Sequence, residues 1–380
     1  MSIAHKWQKY RTLKSMAPDA GALSVFACLY YQRKYGVPPE AFYQERLYDR
    51  REKRQEIISH FDKYTRSWKY VTRHNAEQFP RSWYFFHKID YFFAGILYPG
   101  LDARDYFAYE FYRIRHCQRK TFVTEGGLAK MNAAFNGKGD GSTLSDKAKF
   151  NQYFSRFIFR KWIRTEDMTE ETFTSFCTGL DKVIVKPLQG TQGKGIYVAA
   201  TATEEQRAAL YEELRKDSYI AEELIRQHPV LAALNPGSVN TIRIYSVWKD
   251  GAAHITAAVV RIGGGSAPVD NYHSAGFAVA IDLLTGITVG FPVNRRGERV
   301  LRHPVTGQIM AGVEIPLWED VLHTVREAHA LLTELRYIAW DVVVTEDGQI
   351  TFIEGNGGGG VNIQQQPLLK GLKPLYDSLL

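Results

Sequence analysis

Cysteine is scarce: Cys28, Cys117 and Cys177 are the three in 380 residues, widely spaced and with no C-x-x-C pair. That excludes a disulfide framework and a zinc knuckle, and it suits a reducing compartment. Long apolar runs are missing too. The stretches 21–31 and 91–98 fall far short of the roughly 20 residues a membrane-spanning helix needs. A soluble protein with no transmembrane segment is expected, with peripheral membrane association left open. Residues 1–20 lack the basic, then apolar, then small-residue order of a secretory signal, so export is not expected and a cytoplasmic location is. There is no internal repeat and no low-complexity tract.

Charge is present but unevenly placed. Of the net +7, residues 1–125 hold 22 Lys+Arg against 13 Asp+Glu, which leaves the remainder slightly acidic. Such asymmetry suits an anionic partner. Yet the acids are interleaved and no basic block exceeds a few residues, so solvated helix faces are the simpler reading and no nucleic acid is expected. Oligomeric state is not legible.

The first third, rich in Tyr, Phe, Trp and Arg with few β-branched runs, predicts helices near 22–35, 40–74 and 103–119. The polar, glycine-dense Asn136–Ser142 stretch marks a boundary. Beyond it a helix is predicted over 145–160, strands over 183–186 and 196–199, and a helix from a Thr203/Gln206 capping box to about Lys216. Strands follow at 219–224, 239–248, 254–262 and 276–281. An amphipathic helix at 317–335 then leads to a pair, 337–345 and 350–354, joined through Asp347-Gly348. This mixture predicts an α+β fold rather than a doubly wound parallel sheet.

Two constellations carry chemistry. The first runs Val183-Ile-Val-Lys186-Pro-Leu-Gln-Gly190-Thr-Gln192-Gly193-Lys194-Gly195. Its glycines let backbone N–H groups turn toward an anion, and Lys186 supplies a cation beside it. The spacing is neither a Walker loop nor G-x-G-x-x-G, and a purely structural hairpin competes. The second places Asp341 on one strand and Glu354 and Asn356 on the next. Two carboxylates and an amide oxygen form a hard-oxygen set suited to Mg²⁺. Solvated acids on a hairpin compete here, but Asp341 sits among Ile338, Ala339, Trp340, Val342 and Val343, where an idle carboxylate would be costly.

Taken in order, these motifs resemble the ATP-grasp superfamily, closest to its sugar-transfer-associated branch. The resemblance spans about residues 100–370 and implies two α+β subdomains clasping ATP, a lid over 141–230 and a metal-bearing subdomain over 231–380, behind a helical N-terminal region at 1–140. It implies ATP and two Mg²⁺ ions as cofactors. Lys147, with Lys149 as its competitor, matches the branch's first nucleotide lysine; Lys186, Gly190, Gln192, Gly193, Lys194 and Gly195 match the phosphate loop. Glu222, Glu223 and Leu224 match the adenine hinge, and Asp341, Glu354 and Asn356 the metal ligands. Arg243, in a Ser238-x-Asn240-Thr-x-Arg strand, and Arg261 match residues facing the transferred phosphate; with Lys186 they are the catalytic candidates. Asn240, Asn271 and His273 fall on the acceptor side, although His273 on its own reads more readily as a structural histidine. One departure is Gly357-Gly-Gly-Gly360, where the branch has a proline-containing turn; Gln365 and Gln366 follow as candidate lining residues.

The implied activity is a ligase joining a carboxylate to an amine through an acyl phosphate, on small-molecule substrates with a sugar-linked or cell-envelope precursor among them. A kinase acting on a hydroxyl and a non-catalytic nucleotide-binding module are the alternatives.

Overall fold

The computed structural model describes residues 67–69, 81–98, 100–137, 139–188, 195–265, 276–295 and 297–380. The helix predicted at 22–35, and that at 40–74 apart from a helical turn at 67–69, lie outside the described residues. So do Gly190, Gln192, Gly193, Lys194, Asn271 and His273. The chain forms two compact units, Met1–Met131 with Leu369–Ser378, and Asn132–Leu368 with Leu379–Leu380. No described helix is long and apolar enough to cross a membrane.

In the first unit, α1 (Arg81–Leu97) is followed not by one helix over 103–119 but by two short ones, α2 (Ala103–Ala108) and α3 (His116–Arg119). The break comes where Glu110 adopts a left-handed conformation, φ 51, which no α-helix accommodates. Buried Tyr91, Tyr106, Tyr109 and Phe111 fill this unit. Arg119 is buried with them, paired to Asp90 at 3.0 Å, and Tyr106 donates to the same carboxylate at 2.5 Å.

The second unit carries two sheets, both antiparallel throughout. The smaller contains β1 (Trp162–Arg164), β2 (Lys182–Pro187), β3 (Tyr197–Ala200) and β4 (Tyr219–Glu223) in the order β1-β4-β2-β3. The helix expected over 145–160 is confined to α4 (Lys147–Tyr153), started by the Asp146 carboxylate, which accepts from the backbone N–H groups of Ala148 and Lys149. Two helices, α5 (Glu170–Cys177) and α6 (Glu204–Leu214), bring Phe173, Phe176, Leu210 and Leu214 into one cluster with Val183, Val185 and Ala221 of this sheet. The Thr203/Gln206 capping box is formed as its sequence predicts.

The larger sheet runs β10-β9-β5-β6-β7-β8, with β5 Thr241–Lys249, β6 Ala252–Ile262, β7 Phe277–Ile281, β8 Thr288–Asn294, β9 Tyr337–Val344 and β10 Ile350–Asn356. All eight residues of β9 are buried, so it is covered on both faces. Residues of alternating parity point opposite ways. Ile242, Ile244, Ile338, Trp340, Val342 and Val344 form one core with Val321, Leu322, Val325 and Ala328 of α7 (Trp318–Ala330). Arg243, Asp341 and Arg261 belong to the opposite face.

Under α7 a neutral polar chain is closed within the core. Trp340 Nε1–H donates to Ser246 Oγ at 2.8 Å, Ser246 Oγ lies 2.7 Å from His329 Nδ1, and His329 Nε2 lies 2.9 Å from the Leu335 carbonyl. The carbonyl requires the proton on Nε2, which leaves Nδ1 to accept from the serine. Burial lowers the His329 pKa from 6.5 to about 4. A depressed histidine stabilises the fold fully above pH 6.5, and that contribution is lost as pH falls toward the folded value. We expect an acid-side stability loss approaching about 3 kcal/mol between pH 6.5 and 4, read by urea melts. A His329→Gln variant should show a flatter curve over that interval; an unchanged slope would remove His329 as its source.

Candidate active site

The acidic centre depends on an irregularity in β10. Ile350, Thr351 and Phe352 pair in step with Val344, Val343 and Val342; the register then slips and Glu354 lies opposite Asp341. Without the extra residue, Ile353 would face Asp341 and the Glu354 side chain would turn to the other side of the sheet, because side chains alternate strictly. The bulge therefore brings the two carboxylates to one face. Asn356 follows two residues on, and its Nδ2 donates to Glu354 Oε1 at 3.1 Å.

Across β5, Arg243 pairs in register with Asp341 and grips it with two parallel bonds, Nε to Oδ1 at 2.7 Å and a terminal nitrogen to Oδ2 at 2.5 Å. Arg261, one strand further, donates to the same Oδ2 at 2.8 Å. Burial alone would push the Asp341 pKa up, but the two guanidinium groups outweigh it and bring it down to about 2. Glu354 goes the other way: partial burial of its carboxyl and then the neighbouring Asp341 charge raise it. Its side chain is 39% exposed, and the Arg243 guanidinium stands 3.6 Å away.

A second cluster surrounds Lys186, where β2 ends. Its ammonium is bonded to Glu222 of β4. The other Glu222 oxygen accepts from Arg160 at 2.9 Å and from Asn151 of α4 at 2.8 Å. Although burial opposes ionisation, Arg160 and then Lys186 hold the Glu222 carboxyl well below its ordinary range. Lys147 donates to the Pro187 carbonyl at 3.0 Å. Burial lowers its pKa, and it feels the charges of Glu354, Lys186 and Glu222 together. The bond to Pro187 places the Lys147 ammonium at the end of β2, the strand that carries Lys186. Lys149, its competitor in the sequence, is exposed.

Other candidates are placed differently. Asn240 is fully buried; its amide donates to the carbonyls of Leu231 and Asn235 at 2.8 and 2.9 Å, which leaves it no hydrogen for a ligand. Glu223 accepts from the Lys161 backbone N–H at 3.1 Å, and Leu224 follows just past the end of β4. Gly195 re-enters the described chain just before β3. Gln365 and Gln366 are buried. The glycine run after Asn356 comes down over the acidic face: a Cβ on Gly359 would lie 2.4 Å from the Cβ of Ala339 and 3.1 Å from the Tyr245 ring, so only glycine fits that crossing. Gly359 and Gly360 give their carbonyls to Tyr337 and Tyr245 at 2.9 and 3.1 Å. Arg160 and Asn151, which complete the Lys186 cluster, were not singled out from sequence. The available hint was an arginine ending the aromatic run Phe157-Ile-Phe-Arg160.

Two carboxylates and one amide oxygen, all hard donors, meet on one face, and Glu354 is raised by burial and then by its acidic neighbour. A divalent cation would relieve that repulsion, so the donor set fits Mg²⁺ completed by water and phosphate oxygens. Among the described residues, no group of three or more His, Cys, Asp or Glu is placed to hold a metal ion, so a site here would need the Asn356 oxygen beside its two carboxylates.

The sugar-transfer associated ATP-grasp family matches residues 142–378. No curated protein matches the chain. Among solved structures, the ATP-grasp ligase PsnB complexed with minimal precursor is similar at 15% identity and a TM-score of 0.40, over 67% of this chain and 66% of that one. This chain therefore spans slightly less than two thirds of that ligase. D-alanyl-alanine synthetase A from Vibrio cholerae O1 is similar at 10% identity and a TM-score of 0.36, over 63% of this chain and 60% of that one. The L-amino acid ligase from Bacillus licheniformis stands at 16% identity and a TM-score of 0.32, over 63% and 50%.

Proposed function

Since the chain belongs to the sugar-transfer associated ATP-grasp family, we propose that it is an ATP- and Mg²⁺-dependent ligase that activates a carboxylate as an acyl phosphate and passes it to an amine. The observation that carries the reading is the convergence of Asp341, Glu354, Arg243 and Arg261 on one sheet face, with Lys147 bonded to the Pro187 carbonyl next to Lys186 on β2.

In this reading Lys147 and Lys186 bind the triphosphate, and Asp341, Glu354 and Asn356 would hold the magnesium. Bound there, Mg²⁺ would neutralise phosphate oxygens as a Lewis acid. Arg243 and Arg261 carry the charge that stabilises the moving γ-phosphoryl group, so positioning and electrostatics do most of the work. The acceptor carboxylate oxygen attacks the γ-phosphorus and ADP leaves. The amine then attacks the acyl carbon, loses a proton, and inorganic phosphate departs. A sugar-linked or cell-envelope precursor as one substrate, and a cytoplasmic setting, belong to the same proposal and draw on the family's description.

Hydroxylamine tests the central step. With Mg-ATP and a panel of amino acids and sugar acids, the productive carboxylate is expected to yield a hydroxamate together with ADP. A stable phosphoester in place of hydroxamate would assign the phosphoryl group to a hydroxyl. Failure of Mg-ATP even to raise the melting temperature would remove the nucleotide site.

A further inference from the structure

Arg160 is a fully charged side chain sealed inside the second unit, 3% exposed, and none of the steps above uses it. Such burial is costly unless the charge is paired, and here Nε has no partner while both terminal nitrogens do. One terminal nitrogen reaches Glu222 at 2.9 Å and Asn151 Oδ1 at 3.3 Å; the other donates to the Phe352 carbonyl at 2.6 Å. The first contact lies on the smaller sheet, at the partner of Lys186. The second lies on the larger sheet, at the residue where β10 slips register just before Glu354.

These two contacts do different things. At Glu222, two cations share one carboxylate, so Lys186, Arg160 and Glu222 together keep a charge of +1. A Lys186–Glu222 pair alone would be neutral and would offer a phosphate little attraction. At Phe352, a donor meets a carbonyl beside the bulge, where the ladder is disrupted, and fixes the geometry that turns Glu354 toward Asp341.

We infer that Arg160 is a positioning residue that acts on both halves of the site: it keeps Lys186 available to phosphate and holds the bulge that presents Glu354 to metal. The inference rests on the ATP- and magnesium-binding reading. Its planar fork suits two separate acceptors, whereas lysine supplies a single point charge. Lysine at 160 should thus restore the charge at Glu222 without also holding Phe352.

The test uses the full chain, with AMPPNP binding by calorimetry and Mn²⁺ binding by electron paramagnetic resonance in the presence of AMPPNP. Arg160→Gln is expected to weaken both about 10- to 100-fold, the range seen when outer partners of metal ligands are removed. Arg160→Lys should recover nucleotide affinity to within about threefold of wild type while Mn²⁺ binding stays about tenfold weak. That split is the signature, because a purely structural loss would lower both affinities in step with melting temperature. Parallel losses in the two variants, or wild-type affinities in either, would overturn the assignment while leaving the nucleotide site in place. If Arg160→Gln does not fold, Arg160→Lys decides alone. A wild-type chain that binds no AMPPNP would remove the functional reading, and this inference with it.

Discussion

Replacing Glu354 by glutamine is expected to leave the melting temperature within a degree or two of wild type while cutting Mg²⁺-dependent ADP release by about a hundredfold or more. The two halves of that expectation have separate causes. Glu354 is 39% exposed, and its charge is already disfavoured by burial of the carboxyl and then by Asp341 beside it. Glutamine keeps the size and the acceptor oxygen, and it removes a repulsion. The metal site, however, loses one of two anionic ligands. A Lewis-acid contribution of several kcal/mol converts, at about 1.4 kcal/mol per decade, into two or more decades of rate. A folded variant that turns over at the wild-type rate would take Glu354 out of the metal site.

Asp341→Asn should behave otherwise and lose both properties. Asp341 is buried, and it is the shared counter-charge of Arg243 and Arg261, whose side chains are only 16% and 12% exposed. Deleting one partner of a buried ion pair costs about 3–5 kcal/mol. Because some water reaches both arginines, the lower end applies, and about 3 kcal/mol corresponds to a fall of about 6 to 12 °C for a unit of this size. Magnesium-dependent turnover should vanish as well. Both substitutions neutralise one acid of the same pair. The structure separates them, because only Asp341 carries two guanidinium partners. Differential scanning calorimetry of both variants checks this. A destabilised Glu354→Gln beside an unaffected Asp341→Asn would invert the electrostatic account.

What the sequence discloses is mostly local. Thr203 and Gln206 lie three residues apart, so their capping box is readable and it forms. The pairing of 337–345 with 350–354 is readable because an Asp-Gly turn joins two apolar runs. Asp341 stands out because its neighbours are apolar. β8 escapes for an equally physical reason: Thr288–Asn294 contains Pro292 and Gly290, the latter at φ 80, residues that argue against a strand anywhere but at a sheet edge, which is where β8 lies. β1, only three residues long, has no periodicity to detect.

The relations that complete the site are long-range. Glu222 meets Arg160 across 62 positions and Asn151 across 71, and no local pattern joins them. The slip at Ile353 is equally silent, since nothing in Phe352-Ile-Glu354 says which residue will be extra. Asn240 shows the converse. Its motif suggests a ligand contact, yet the amide is spent on two backbone carbonyls because the turn before β5 has to be tied down.

The path of the chain bears on how this protein can be cut. Residues 369–378 return to the first unit: Lys373 N–H donates to the Thr121 carbonyl at 2.8 Å, Tyr376 is buried, and a Cβ on Gly371 would collide with Thr121 at 2.2 Å. A single scission near residue 131 therefore cannot yield two self-sufficient pieces. The downstream piece would carry a tail stripped of its seat, with Leu372 and Tyr376 newly wetted, and the upstream piece would miss the segment that plugs it.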